Sequence, residues 1–412
     1  MQIWILNHYA GNMLFDEGGR HYYFAKYLRR EGHSPTIFCS NAKHNSNAEV
    51  FYHDDGIWNI HQSLKINVPF VYVKSRPYSN NGKTRVINIL QFYWNVKKAA
   101  KEYARINGKP SIIYASSVHP LTLVAGIQLA KKYQVKCICE VRDLWPQSLV
   151  DYGIVKENSL IVYLLRKFEK WIYVHAQSLI FTMEGGYEYI RDQGWEDVIC
   201  RDKVHYINNG VDLEDYDYNR QNCVIHDSDL DDETIHRVIY AGSIRKANNS
   251  IMILPDVAEE LVKRKREDIC ILVYGKGDYA EKLVSDCKKR GIKNLVYKGF
   301  VKKQEVPYLL SKSEVNILNC SSAEVDKYGT SRNKLFEYLA SGQPILSGEN
   351  DRYSIIKNRE CGISEHFKSA SEIADAIITL VENHKEYTNV RKVGEEYAFS
   401  KLTKQLLKIM GV

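Results

Sequence analysis

Short apolar runs alternate with helical patterns along nearly the whole chain, and this alternation limits the fold more than any other feature. Gln2–Asn7 is an apolar run that ends in a polar loop, Arg20–Glu31 has helical spacing, and Thr36–Cys39 is the next apolar run. A strand, a glycine-containing loop, a helix and a strand open a doubly wound sheet. A second series of this kind starts at Val238–Tyr240. The sequence therefore predicts an α/β protein with two Rossmann-like parallel-sheet domains that face a central cleft.

The length of the chain also indicates two domains, since 412 residues are too many for one ordinary core. We expect an amino-terminal domain over residues 1–213 and a second domain over residues 214–390. A carboxyl-terminal helix within residues 391–412 is expected to pack back towards the first domain. Glu214–Glu233 is acidic and poor in apolar residues, so we interpret it as the linker region.

Composition indicates a globular protein with a mild positive charge. The net charge of +7 suits an anionic ligand or an anionic membrane surface, but it is too small to indicate nucleic acid. The nine cysteines form no C-x-x-C, and Cys137 and Cys139 alternate on one face of a predicted strand. We read the cysteines as buried thiols of a reducing cytoplasm. The start of the chain has no signal-peptide pattern, and no apolar run reaches the roughly 20 residues of a membrane span.

The stretch Tyr328–Leu346, YGTSRNKLFEYLASGQPIL, has the most informative pattern in the second half. Small polar residues precede a helical pattern, and Ser331 and Asn333 are residue types that cap helices. The amino end of a helix offers free N–H groups and a positive dipole to a phosphate. Glu337, further along, can accept hydrogen bonds from the two hydroxyls of a ribose. The alternative is an ordinary capped helix with a surface glutamate.

Glycine-containing turns follow three predicted strands of the second half, at Gly242, at Gly275 and Gly277, and at Gly299. The carboxyl ends of parallel strands lie at one edge of a sheet, where glycines allow the backbone to approach a ligand closely. Positive side chains that suit a diphosphate are also present, namely Arg245 and Lys334. Together these features predict nucleotide binding by the second domain.

Polar residues also follow predicted strands of the first half. His119 and the pair Arg142 and Asp143 come after two successive strands, where ligands of open α/β sheets bind. Gly18 and Gly19 precede the first helix. Each has an ordinary alternative, because a lone histidine is often structural and two glycines often form a tight turn without a ligand.

The long predicted helix Lys83–Arg105 carries lysine, arginine and aromatic residues together. A basic helix with aromatic side chains can lie on an anionic membrane surface. The alternative is a solvated charged face opposite an ordinary core face.

Several sequence motifs, taken in chain order, resemble those of a known family. AGSIRKANN, YGKGD, YKGFV and SRNKLFEYLASGQPIL resemble the retaining glycosyltransferases of family 4, which have the GT-B fold, and INNGVDLEDY resembles the end of their first domain. RDLWPQS and the opening NHY…GGRHYYFAKYL are similar to the bacterial branch that builds capsule, O-antigen and exopolysaccharide. The resemblance covers nearly the whole chain.

The resemblance implies transfer from a nucleoside-diphosphate sugar with retention at the anomeric carbon, with no cofactor and no metal. For the donor we expect a UDP-sugar, an N-acetylated hexosamine or a deoxyhexosamine. For the acceptor, held by the first domain, we expect a saccharide on polyprenyl diphosphate. The implied location is the cytoplasm, with peripheral contact on the inner membrane.

The resemblance also implies residue roles. Arg245 matches the family's phosphate-binding arginine, whereas Asn248 and Asn249 stand where its lysine is expected, so Lys246 or Lys334 must replace it. The family has an acidic motif of two glutamates separated by seven residues. Glu337 matches the second glutamate, whereas Gly329 stands at the position of the first. Backbone N–H groups of residues 329–331, Glu324 or Asp326 must therefore take over the sugar contacts. The implied catalytic residues are His119, Arg245, Lys334 and Glu337. The implied donor-binding residues are Gly18, Gly19, Gly242, Ser243, Arg245, Lys246, Tyr274, Gly275, Phe300, Val301, Gly329, Thr330, Ser331, Asn333, Lys334 and Glu337. The implied acceptor-side residues are Asp16, His119, Arg142 and Asp143.

Two other functions fit the same residues. One is a nucleotide-sugar 2-epimerase that transfers nothing, and the other is a degenerate transferase that stabilises a partner subunit. Transfer or donor hydrolysis by the purified chain distinguishes an enzyme from the second of these.

Overall fold

The computed structural model describes residues 1–51, 56–80, 82–117, 119–151, 153–321, 327–349 and 351–412, with only the backbone described at 246–249. The chain forms two compact units, one of Met1–Asn208 with Phe399–Val412 and the other of Asn209–Ala398. The division lies before the predicted boundary at Leu213, and residues 391–398 belong to the second unit.

The first unit contains an eight-stranded sheet in its described residues, with strand order β3-β4-β2-β1-β5-β6-β7-β8. The strands are β1 (Gln2–Leu6), β2 (Ser34–Ser40), β3 (Trp58–Ser63), β4 (Val68–Val73), β5 (Ile112–Ser116), β6 (Lys136–Val141), β7 (Ser178–Phe181) and β8 (Val204–Tyr206). Only the β3–β4 pair is antiparallel among these described pairs. The alternation in WNIHQS of β3 is largely polar, so this strand is a weak one by sequence pattern. The predicted common face of Cys137 and Cys139 is confirmed, since their Sγ atoms lie 3.8 Å apart.

The helices of the first unit cover both faces of this sheet. They are α1 (Arg20–Arg30), α2 (Lys83–Asn107), α3 (Pro120–Tyr133), α4 (Gln147–Asp151), α5 (Leu160–His175) and α6 (Gly186–Asp192). The α2 and α5 helices both contact α3. Within the residues described, no helix is long and apolar enough to cross a membrane.

The second unit contains a parallel six-stranded sheet in its described part, in the order β11-β10-β9-β12-β13-β14. The strands are β9 (His236–Ala241), β10 (Ile269–Tyr274), β11 (Leu295–Gly299), β12 (Val315–Asn319), β13 (Ile345–Ser347) and β14 (Gly362–Ser364). The helices are α7 (Leu213–Asn222), α8 (Ser228–Asp231), α9 (Leu254–Lys263), α10 (Ala280–Arg290), α11 (Val306–Ser311), α12 (Asn333–Ser341), α13 (Ile355–Asn358), α14 (Ala370–Glu382) and α15 (Val390–Glu396). The predicted two-sheet α/β fold is confirmed.

The acidic segment predicted as a linker is instead part of the second unit. It contains α7 and α8, and Tyr216 and Leu230 are buried in the core beside Leu309 and Phe336. The Asp212 side chain caps α7 by accepting a hydrogen bond from the Asp215 N–H. Acidic residues at a helix amino end are stabilised by the dipole, so this composition reflects capping rather than an unstructured connection.

The last helix, α16 (Phe399–Met410), returns to the first unit. It contacts α1, and Phe399, Leu402 and Leu406 are buried in the same core as Phe24. The structure therefore places the carboxyl-terminal helix with the amino-terminal sheet.

Candidate functional site

Three strand ends of the second sheet meet at glycine turns. The Gly242 N–H donates to the Tyr274 carbonyl at 2.9 Å, and the Gly275 N–H donates to the Gly299 carbonyl at 2.7 Å. Gly275 has a φ of +149°, and a Cβ atom there would lie 1.7 Å from the Gly242 carbonyl oxygen. Any side chain at Gly275 would therefore push the two turns apart, which explains glycine at this position.

Lys334 lies directly against the first of these turns. A Cβ atom on Gly242 would lie 2.9 Å from the Lys334 Nζ atom, which is also 4.2 Å from the centre of the Tyr240 ring. The ammonium group donates to the Leu318 carbonyl at 3.1 Å rather than to a carboxylate. Burial, followed by the charge of Arg332, lowers the pKa of Lys334 to about 7. An anion at this turn would restore a full positive charge on the lysine.

Among the described residues, the amino end of α12 has no capping side chain. The N-cap residue is Arg332, and its side chain makes no capping hydrogen bond. The prediction that Ser331 or Asn333 caps this helix is wrong. Ser331 instead accepts two hydrogen bonds from Asn209, one at Oγ from the backbone N–H and one at its carbonyl from Nδ2. The helix dipole at α12 is therefore not covered by a side chain of its own.

A buried glutamate that sequence reasoning missed holds the segment before α12. Glu349 is only 3% exposed. Its carboxylate accepts hydrogen bonds from Asn319 Nδ2 at 2.8 Å, from Thr330 Oγ1 at 3.2 Å and from Arg332 Nε. Gly329, with a φ of +91°, lies in the same segment. Glu349 comes just after β13, so extending the strand-end rule to this strand would have found it.

Glu337 lies one turn after Lys334 on α12 and is partly exposed. Burial raises the pKa of Glu337, although Lys303 and Lys334 oppose that change. Among the described residues, no hydrogen bond or ion pair engages its carboxylate. The carboxylate is therefore available to a ligand on the same helix as the Lys334 ammonium group.

Arg245 and Ser243 are exposed in the turn that follows β9. Arg245 immediately precedes a 3-10 helix, Lys246–Ile253, and the Ser243 carbonyl accepts a hydrogen bond from the Tyr240 hydroxyl at 2.8 Å. The side chains of Lys246, Asn248 and Asn249, and the whole of Glu324 and Asp326, lie outside the described residues.

The donor-binding residues implied at the ends of β10 and β11 differ in exposure. The Tyr274 side chain is buried and donates its hydroxyl to Asp227 at 3.3 Å, so a ligand can reach only its backbone. Phe300 is 61% exposed, and the Lys276 Nζ atom lies 4.3 Å from its ring centre. Val301 packs against the core. Phe300 is therefore the accessible aromatic surface at this end of the sheet.

In the first unit, His119 is buried at the start of α3. Its Nε2 atom lies 2.6 Å from Nδ1 of His8, a residue that the sequence did not single out. Burial, and then Arg85, lowers the pKa of His119 to about 3. Arg85 also acts on Asp143, so α2 links these two predicted residues electrostatically.

The other predicted residues of the first unit are less closely joined. The Arg142 N–H donates to Ser117 Oγ at 3.1 Å, and Asp16 is exposed in the turn before α1. Gly19, with a φ of +109°, is the N-cap of α1, and Gly18 donates its N–H to the Met13 carbonyl. No hydrogen bond or ion pair in the described part of the chain joins Asp16 to His119.

A buried ion pair, also missed from the sequence, lies beneath this edge. Glu140 accepts hydrogen bonds from Arg20 Nε at 2.7 Å and Ser116 Oγ at 2.8 Å, and His21 is 3.1 Å away. Burial alone would raise the pKa of Glu140, but Arg20 and His21 hold it well below its usual range. Arg20 also donates to the Ile207 carbonyl, so this network fixes strand ends rather than facing a ligand.

Comparison with known proteins relates both units to glycosyltransferases. The family model Glycosyltransferase Family 4 matches residues 20–215, and the model Glycosyl transferases group 1 matches residues 235–383. No curated protein sequence matches the chain significantly. In the part of the chain that is described, no group of three His, Cys, Asp or Glu residues forms a metal site.

Solved structures share the fold at low sequence identity. Sucrose-phosphate synthase from Thermosynechococcus elongatus is 14% identical, with a TM-score of 0.67 over 99% of this chain and 98% of that one. Anabaena HepE in complex with UDP is 13% identical, with a TM-score of 0.67 over 100% of both chains. WaaG, a glycosyltransferase involved in lipopolysaccharide biosynthesis, is 12% identical, with a TM-score of 0.60 over 100% and 99%. The chain therefore belongs to the glycosyltransferases of the GT-B fold, with a family 4 domain in its first half and a group 1 domain in its second.

Proposed function

We propose that this glycosyltransferase takes its sugar from a UDP-sugar and transfers it with retention at the anomeric carbon, without a metal. The observation that carries the proposal is the placement of Lys334 between the Gly242 turn and the uncapped end of α12. A half-buried lysine that, among the described residues, is bonded only to a carbonyl suits a diphosphate, and Arg245 adds charge from the turn after the β9 strand. The Anabaena structures with UDP and UDP-glucose support this choice of donor.

The reaction needs no protein nucleophile in this arrangement. Glu337 accepts hydrogen bonds from the ribose hydroxyls while Arg245, Lys334 and the α12 dipole stabilise the diphosphate as the glycosidic bond breaks. The acceptor hydroxyl attacks on the face that the diphosphate leaves. Its proton passes to the departing phosphate oxygen, which balances the charges and retains configuration.

The sugar of the donor meets a different surface from the one that the family motif implies. Gly329 has no side chain, and Glu349, although close to Thr330, is buried and bonded to Arg332 and Asn319. We therefore propose that backbone N–H groups of residues 329–331 contact the sugar hydroxyls. An N-acetylated hexosamine or a deoxyhexosamine is the proposed sugar.

For the acceptor we propose a saccharide on polyprenyl diphosphate, met by the first unit at the cytoplasmic face of the inner membrane. Two helices expose apolar side chains: Trp94 of α2 is 57% exposed, and Leu160 and Leu164 of α5 are 72% and 56% exposed. Lys97 lies 4.2 Å from the Trp94 ring. Since α2 and α5 both pack on α3, one helical layer offers apolar and basic groups to an anionic lipid surface.

The deciding experiment compares the wild type with Arg245→Ala, using UDP binding by calorimetry and sugar transfer or donor hydrolysis. We expect turnover to fall roughly 100-fold, as for other preorganised charge stabilisers. Unchanged turnover would exclude the mechanism. Release of nucleotide with an epimerised free sugar would favour a 2-epimerase, and UDP binding without any turnover would favour a non-catalytic subunit.

A further inference from the structure

The ends of three strands hold Glu349 in a fixed position. Its carbonyl oxygen accepts a hydrogen bond from Ser364 Oγ of β14 at 2.5 Å, and its N–H donates to Ser347 Oγ of β13 at 3.2 Å. Its carboxylate accepts from Nδ2 of Asn319, the last residue of β12, at 2.8 Å. All four residues are buried. Glu349 is therefore a carboxylate whose place is set by β12, β13 and β14 together.

The same carboxylate binds the segment that leads into α12. Residues 329–332 have no helix or strand structure of their own. Within them, Thr330 Oγ1 donates to Glu349 at 3.2 Å, and Arg332 forms an ion pair with Glu349 through Nε. Arg332 is also the N-cap residue of α12. The position of the first N–H groups of this helix therefore depends on Glu349.

Lys334 is tied to the same strand end. Its ammonium group donates to the Leu318 carbonyl at 3.1 Å, and the next residue of β12 is Asn319, which binds Glu349. Neighbouring residues of one strand thus hold the lysine and the glutamate. Arg332 precedes Lys334 by two positions, so the Arg332–Glu349 ion pair lies beside the lysine.

The protonation of Lys334 depends on the groups that face it from several elements. These groups are Arg332 before α12, Cys320 after β12, Glu349 after β13, Glu337 of α12 and the ring of Tyr240 in β9. After burial, which has the largest effect, Arg332 lowers the pKa of Lys334, whereas Glu349 raises it. Because Arg332 and Glu349 are paired, their effects on the lysine oppose each other.

We propose that Glu349 is a positioning residue for the donor diphosphate, because it fixes the segment that leads into α12 and compensates the charge of Arg332 next to Lys334. Glu349 is buried and acts through Lys334 and the first N–H groups of α12 rather than by contact with the ligand. The identity of the ligand rests on the proposed function. The action of Glu349 on Lys334 is a property of the free protein.

The first test is Glu349→Gln, which keeps the size of the side chain and removes its charge. We expect turnover to fall on the order of 10- to 100-fold, because small displacements of groups that orient a substrate have effects of this size. UDP affinity should fall as well, since the start of α12 and Lys334 are both displaced. Steady-state kinetics and calorimetry on the full chain measure the two effects.

Glu314→Gln is the matched control, because Glu314 also forms an ion pair with an arginine of this unit. It lies 2.6 Å from Arg237 Nη2 and also accepts a hydrogen bond from the Arg237 N–H, at the amino ends of β9 and β12. Both variants break an arginine–glutamate pair and should be less stable in urea. Only Glu349→Gln should lose turnover and UDP affinity. Equal functional losses in the two variants would overturn the proposal.

The second test measures Lys334 in the free protein by trace acetylation at different pH values, read by mass spectrometry, since only the unprotonated amine reacts. Glu349→Gln should lower the pKa of Lys334 and Arg332→Gln should raise it. Thr330→Val removes a hydrogen bond but no charge, so it should leave this pKa unchanged and still weaken UDP binding. Unchanged acetylation profiles in the two charge variants, or unchanged UDP affinity in Thr330→Val, would contradict the proposal.

The two tests also separate this inference from the donor assignment. Failure of the wild type to bind UDP would count against the proposed donor. The acetylation profiles of the free variants would still decide whether Glu349 and Arg332 act on Lys334.

Discussion

The carboxyl edges of the two sheets differ in how their charges are satisfied. At the edge of the first sheet, Glu140 is paired with Arg20 and the two histidines His8 and His119 are buried and neutral. At the edge of the second sheet, Lys334 is bonded only to a carbonyl and Glu337 has no ion pair in the described residues. The two sheets share a topology, but the charges at the edge of the first sheet are paired within the protein, whereas the edge of the second sheet carries unpaired charge in the described residues.

The difference shows where each kind of ligand is favoured. Unmatched positive charge beside glycine turns and a helix amino end favours a diphosphate. An edge whose charges are already compensated favours the neutral sugar part of a ligand, which is rich in hydroxyl groups. The following experiments either remove this contrast or measure it more closely.

Lys334→Met removes the positive charge next to the Gly242 turn while keeping the length of the side chain. If the second edge stabilises the leaving diphosphate, turnover should fall roughly 100-fold and UDP affinity should also fall. Steady-state kinetics and calorimetry measure the two effects. Lys289→Met, at an exposed position of α10, is the control and should behave as the wild type. Equal behaviour of the two variants would mean that Lys334 does not contact the donor.

Gly275→Ala tests whether the close approach of the Gly242 and Gly275 turns is required for stability and for UDP binding. Its Cβ atom would lie 1.7 Å from the Gly242 carbonyl oxygen, so the free energy of unfolding should fall by about 3 kcal/mol. UDP affinity should fall as the turn moves away from Lys334. Urea denaturation and calorimetry give both values.

The control for this substitution is Gly291→Ala, which separates backbone strain from the clash. Gly291 also has a positive φ, +67°, but a Cβ atom there would meet no heavy atom within 4 Å beyond its own chain neighbours. A loss of about 1 kcal/mol with unchanged UDP affinity is expected. Similar losses in the two variants would show that the turn contact is unimportant.

Binding of UDP should depend on pH through Lys334. Since the pKa of Lys334 is lowered to about 7, the free protein loses this proton above neutrality, and a bound diphosphate should restore it. Affinity should therefore fall as the pH rises from about 7 to about 9, with uptake of close to one proton. Calorimetry in buffers of different ionisation enthalpy measures the uptake, and Lys334→Met should abolish it.

Lys334 should also make the stability of the free protein depend on pH, but here the effect increases with pH, whereas UDP affinity decreases. An unfolded lysine keeps its proton to about pH 10, so between about 7 and 10 the unfolded state binds more protons than the folded state. The contribution of Lys334 to the free energy of unfolding should therefore increase with pH over that range. A flat difference between the wild type and Lys334→Met would contradict the lowered pKa.

The apolar layer of the first unit should give the smallest effect. Leu164→Ser should weaken sedimentation with anionic vesicles roughly 5-fold, because about 1 kcal/mol of apolar burial is lost, and added salt should weaken it further. Leu64→Ser, at a 93% exposed leucine in the turn between β3 and β4, is the control. Vesicle binding that is unchanged by added salt and by Leu164→Ser would exclude this surface as the membrane contact.

Much of the second edge was predictable from spacing. The positions of Gly242, Gly275 and Lys334 follow from strand and helix periods, because parallel strands must end at one edge. The direction of the Tyr274 side chain was not predictable, since it depends on Asp227, which lies 47 positions away in the chain. Glu349 and His8 also follow strand ends, those of β13 and β1, but their partners were not predictable because these come from other strands and helices.

The order of residues alone established the two α/β series, the glycine turns and the chemical types of the groups at the strand ends, since these are set by local periodicity. Only the packed chain decided which of those groups are already paired. Pairing depends on contacts between distant segments, as with Glu140 and Arg20 or Glu349 and Arg332. The protonation of Lys334 is a result of that packing, because burial and the neighbouring Arg332 lower its pKa.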